Sequence, residues 1–106
     1  MIQKENYVGS FIEILTRTAN WRDKVFDRYE DERNAWASKA LRKIAADAEN
    51  LSDDLWTKIQ PHLGSDDWRD IVSQTAKQVG FSHSSKSLPF FITKLVRAMS
   101  QPVAVN

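Results

Sequence analysis

The stretch Trp21–Asn50, WRDKVFDRYEDERNAWASKALRKIAADAEN, decides how this chain folds. It contains no glycine or proline and is rich in Ala, Arg, Lys and Glu, all strong helix formers. Trp21, Val25, Phe26 and Tyr29 make one apolar stripe, and Trp36, Ala40, Leu41, Ile44 and Ala48 make another, both at helical spacing. The join between them, Glu30 to Asn34, is polar throughout. No breaker sits there, so the pattern predicts one long central helix over about 21–49, continuous or gently bent, about 43 Å long at 1.5 Å per residue. Asn20 would cap its start. The alternative is that Asn34 caps a second helix.

The same stretch has a charge order. Residues 23–32 carry net −3 and residues 33–43 carry net +4 with no acid. Two such helices, antiparallel and centred near Trp36, would set opposite charges against each other. The expectation is a two-fold homodimer in which Glu32, Arg33, Trp36, Lys39 and Lys43 carry self-association. A monomer is the other reading, with the charges following the helix dipole or a local turn at Asn34.

Working outward, Tyr7, Val8, Phe11, Ile12 and Leu15 line one face of an N-terminal helix that Gly9 weakens modestly. On the other side, LSDDLW and GSDDWR repeat a helix-start signal. Ser52 or Ser65 would be the N-cap, and two Asp in the first turn would meet the positive end of the helix dipole. The first of these helices is short, because Pro61 lacks an amide hydrogen. Trp68, Ile71, Val72, Thr75, Ala76 and Val79 mark the second, and Gly80 is placed to end it in a left-handed conformation. Leu88, Phe91, Ile92, Leu95, Val96 and Met99 mark the last, which Pro102 stops. The fold class is all-α: a single-domain bundle of about five helices, with a C-terminal helical hairpin over about 66–100 and a flexible tail over 101–106.

Within that hairpin, AKQVGFSHSS (Ala76–Ser85) resembles the helix-turn-helix of AraC-type transcription activators. There a small residue, three further residues and Val-Gly-Phe-Ser precede the recognition helix. The resemblance implies DNA reading by residues 75–99, with base contacts from Ser82, His83, Ser84, Ser85 and Lys86 and phosphate contacts from Lys94 and Arg97. The pattern then departs from the family. A helix begun at His83 would hold Pro89 in its interior at a cost of about 3 kcal/mol, whereas one capped by Ser87 holds Pro89 in its first turn. The second arrangement keeps the Leu88–Met99 stripe whole and leaves a basic, serine-rich connection that could bind an anion through His83, Ser84, Ser85 and Lys86.

Composition bounds the function. The chain has 106 residues and net charge +1, so no global field selects a polyanion, although Lys77, Lys86, Lys94 and Arg97 follow Asp70 without another acid. It has no cysteine, which excludes disulfides, thiolate metal sites and cysteine nucleophiles and fits a reducing compartment. The N-terminus lacks the apolar run of a secretory signal, and no segment is apolar enough to span a membrane, so a cytoplasmic location is expected. The carboxylates Asp23, Asp27, Glu30 and Asp31 share a helix with Lys24 and Arg28, and neither His62 nor His83 stands in a Glu-x-x-His pair, so no metal is expected. No glycine-rich phosphate loop, nucleophile elbow or His-Glu-x-x-His occurs, and no cofactor is expected. Packing in the core is the reading for Trp21, Trp56 and Trp68, while polar residues preceding Trp36 set it apart. The expected function is non-enzymatic: a helical protein that binds a protein partner or itself. The alternative is a nucleic-acid-binding regulator using residues 75–99 and the basic C-terminal third.

Overall fold

The computed structural model describes residues 2–79 and 87–100. Five α-helices follow in order: α1 Lys4–Tyr29, α2 Glu32–Ala48, α3 Asp53–Ile59, α4 Trp68–Lys77 and α5 Leu88–Ser100, with a 3-10 turn at Gln60–His62 after α3. The described residues contain no strand.

The long helix of the molecule is the first. The N-terminal stripe and the Trp21–Tyr29 stripe join into one α1 of 26 residues, about 39 Å long. Asn20 therefore caps nothing. It lies inside α1, and its side-chain oxygen accepts a hydrogen bond of 2.9 Å from Arg42 Nη2. The predicted continuous helix over 21–49 is also broken. Glu30 takes a left-handed conformation (φ 55°, ψ 26°), and its amide donates to Phe26 O. Asp31 then caps α2, its carboxylate accepting from the Arg33 amide at 3.0 Å. Asn34, the alternative cap, is instead a buried member of α2.

A two-residue connection makes α1 and α2 antiparallel neighbours. The two helices are in extensive contact and bury many small side chains: Ala19 on α1, and Ala37, Ala40, Ala45 and Ala48 on α2. Leu41 and Ile44 of α2 are fully buried in the core, each contributing about 1.5–3 kcal/mol by leaving water. A continuous helix would expose this second apolar face, which explains why the chain folds back despite an unfavourable Glu30.

Beside this pair, α4 runs parallel to α1: Trp68 meets the Tyr7 ring at 5.2 Å, and the Lys77 carbonyl meets Arg22. Helix α5 packs against α4, and the two line one groove with Ile71, Gln74, Thr75 and Gln78 from α4 and its end, and Lys94, Arg97 and Ala98 from α5. The C-terminal hairpin expected from periodicity is thus present, with Gly80–Lys86 outside the described residues. Ser87 holds the start of α5, accepting from the Phe90 and Phe91 amides, and Pro89 sits in the first turn. Likewise, Ser52 caps α3 by accepting from Leu55, and α3 gives way to the 3-10 turn at Pro61. The other start signal works differently. Ser65 accepts from the Asp67 amide in a turn, and α4 begins only at Trp68, so Asp66 and Asp67 precede the helix and Asp70 alone occupies its first turn.

The core is aromatic at the end of the bundle near Tyr7. That ring lies 5.4 Å from Phe11, 5.5 Å from Trp56 and 5.2 Å from Trp68, and Phe11 meets Phe91 edge-on at 5.6 Å. Tyr7 is fully buried, and its hydroxyl has no hydrogen-bond partner among the described residues. Burial pushes the phenol's pKa well above its usual range.

Candidate interaction surface

The line of α1 that enters the core runs Tyr7, Phe11, Leu15, Thr18, Ala19 and Arg22. An arginine at the end of an apolar line has to be satisfied by its neighbours. Arg22 Nη1 donates to Asn34 Oδ1 at 2.9 Å, and Nη2 donates to the Lys77 carbonyl. The latter lies at the end of α4, where helix carbonyls concentrate negative potential. Burial lowers the guanidinium's pKa, and the Asp31 carboxylate partly offsets this. One side chain thereby ties α1 to the first turn of α2 and the last turn of α4.

That junction decides what lies outside it. Helix α4 ends level with Arg22, so the last two turns of α1 run on beyond it. Tyr29 stands on this overhang with 68% of its surface exposed, and Trp21, at the junction beside Arg22, has 45% exposed. They border a groove of about 340 Å³ completed by Lys24, Val25 and Arg28. The expectation that Trp21 packs in the core is therefore corrected, whereas Trp68 is buried and Trp56 packs partly buried against the core. Trp36, set apart by its polar neighbours, is 51% exposed. Large aromatics in water are the informative departure from ordinary burial, and Trp and Tyr dominate protein interfaces where they are found exposed.

The residues expected to mediate self-association divide into two groups. Glu32, Trp36, Lys39 and Lys43 are exposed on α2 at i, i+4, i+7 and i+11, which is one helical face. Arg33 is turned away from them into a two-pronged ion pair with Asp31 at 2.7 Å. The charge order that suggested pairing between two chains is in part satisfied within one. Arg42 of the basic half meets Asp23 of the acidic half at 2.7 Å. Hydrogen bonds from Ser38 and Arg42 hold the Asp23 carboxyl below its ordinary pKa, and Arg33 does the same for Asp31. A sequence that folds back at Glu30 brings its two charge blocks together without a second copy. Lys39 and Lys43 take part in none of the ion pairs among the described residues.

Of the residues expected to contact nucleic acid, His83, Ser84, Ser85 and Lys86 lie outside the described residues. Lys94 and Arg97 do come together, lining a groove between α4 and α5 with Gln74 and Gln78. No carboxylate lines it. A third groove, between α1 and α4, has mixed charge: Glu13, Arg17, Arg69 and Asp70 line it, and Glu13 is paired to Arg17 at 2.6 Å.

His62 Nδ1 stands 3.3 Å from Ser100 Oγ, but that hydroxyl is already donated to the Val96 carbonyl at 2.7 Å. Among the described residues, no three His, Asp or Glu side chains gather as metal ligands, and no helix is long and apolar enough to cross a membrane. No protein family, curated protein or solved structure matches the chain.

Proposed function

We propose that this chain is a non-catalytic helical interaction protein that binds a protein partner through the outward aromatics of the α1–α2 hairpin. The observation that carries the reading is the exposure of Trp21, Tyr29 and Trp36 on helices, next to the cations Lys24, Arg28, Lys39 and Lys43, which enter no ion pair among the described residues. Exposed aromatic rings of low conformational entropy, mixed with Arg and Lys, are the composition of binding hot spots rather than of ordinary solvated surface. A second copy of the chain is the other occupant this surface fits, through the face of Glu32, Trp36, Lys39 and Lys43. The test is the size of the tagged chain isolated gently from its own cells, compared with a Trp21→Ala, Tyr29→Ala, Trp36→Ala variant. The wild-type chain is expected in a complex larger than its own 12.2 kDa, and the variant alone. Identical sizes for the two would contradict the reading.

A second reading rests on the acid-free groove of Gln74, Gln78, Lys94 and Arg97. Amides and cations of this kind contact phosphates in nucleic-acid complexes. On that reading the chain is retained on heparin at low salt, and Lys94→Glu with Arg97→Glu releases it. Passage of the wild-type chain through heparin unretained would remove this reading.

A further inference from the structure

The overhanging groove on α1 has a chemistry specific enough to describe what it takes. Its floor is apolar, formed by Val25 between Trp21 and Tyr29. Its rim is cationic: Lys24 and Arg28 line it, no carboxylate does, and neither belongs to an ion pair among the described residues. Lys24 and Arg28 are four residues apart, so they stand as neighbours on one helix face and repel each other in the free chain. An opposing carboxylate relieves that repulsion at each.

We infer that this groove receives an acidic amphipathic helix from a protein partner, an inference that rests on the interaction reading above. The apolar face of that helix lies between the Trp21 and Tyr29 rings, and its acidic flank meets Lys24 and Arg28. The span from Trp21 to Tyr29 is about 12 Å along α1, so the groove engages about two turns of the partner. Anchors at i, i+3, i+4 and i+7 of a guest helix meet this length. A phosphate chain fits less well. Two cations are few for counterion-driven binding, and Asp27, Glu30, Asp31 and Glu32 on the adjoining surface repel a continuous polyanion. Carboxylates fixed at discrete helix positions can meet the two cations and avoid those acids.

The experiment is selection of a displayed library of amphipathic helices, randomised in charge, on the intact chain, with counter-selection on Trp21→Ala/Tyr29→Ala. Both positions are exposed, and a Trp21→Gln/Tyr29→Gln pair provides a second, more soluble counter-target should the first unfold. The expected winners carry net negative charge, and a Lys24→Glu/Arg28→Glu variant binds them roughly tenfold or more weakly. The same variant, put through its own selection, enriches basic helices instead. Winners that need Trp21 and Tyr29 but are neutral or basic would overturn the acidic-partner inference and leave the aromatic surface standing. Failure to recover any helix that depends on Trp21 and Tyr29 would overturn both.

Discussion

Replacing Glu30 with glycine separates the hairpin from a continuous helix by the sign of its effect. Glu30 is the one non-glycine residue with positive φ among those described. Holding a side chain in the left-handed region costs roughly 1–2 kcal/mol, which glycine avoids. Glycine's greater freedom in the unfolded chain returns about 0.5–1 kcal/mol of that gain. The side chain of Glu30 enters no ion pair among the described residues, so little else is lost. The balance is a stabilisation of about 0.5–1 kcal/mol for Glu30→Gly, or a rise in melting temperature of about 2–6 °C for a chain of this size. In a continuous helix, residue 30 would be a helix interior, where glycine is worse than glutamate by several tenths of a kcal/mol. Thermal unfolding followed by circular dichroism, with urea midpoints as a second measure, distinguishes the two. Glu30→Ala is the control, because alanine keeps the left-handed cost and should gain nothing. A lower melting temperature for Glu30→Gly than for wild type would refute the turn.

Three further outcomes follow from particular residues. Gly9 lies exposed inside α1 with open space where a Cβ would go, so Gly9→Ala should raise stability by about 0.5–1 kcal/mol in urea unfolding. Tyr7→Phe removes a buried hydroxyl that has no partner among the described residues, and should be neutral or stabilising by about 1 kcal/mol; a loss of that size would mean the hydroxyl is satisfied. Asp23 and Asp31 have folded-state pKa values held below those of a free carboxylate, so the stability they contribute is complete above about pH 4 and is lost as pH falls through the lower folded values. Acid titration of stability should therefore show a decline below about pH 4 that Asp23→Asn makes shallower, and an unchanged profile would remove Asp23 from the account.

What could be read in the sequence was local. The stripes of α4 and α5 follow helical spacing closely, and Ser52, Pro61, Ser87 and Pro89 act through their own backbone neighbours, so their roles were legible. The fold-back at Glu30 was not, because the residue that turns is neither glycine nor proline and because its cost is met by distant burial of Leu41 and Ile44. One signal was present: Asp31 is a good N-cap, and the Arg at position 22 falls on the same inward line as Leu15 and Ala19. A charge at the end of a core line asks for polar partners, and Asn34 and the end of α4 supply them. The exposure of Trp21 and Tyr29 was not legible at all. For Tyr29 it depends on where α4 stops beside α1, and for Trp21 on which side of α1 its neighbours cover; both are properties of the packed bundle and not of either stripe.

The claim on which the functional account stands is that the overhang of α1 faces a protein partner. A photo-crosslinking amino acid placed at Tyr29, in the living cell, measures this most directly. Asp47, exposed on α2, serves as the comparison site. The account predicts adducts to another polypeptide from position 29 that are lost on Trp21→Ala, and none from position 47. Equal yields from the two positions, or no adduct from position 29, would contradict it.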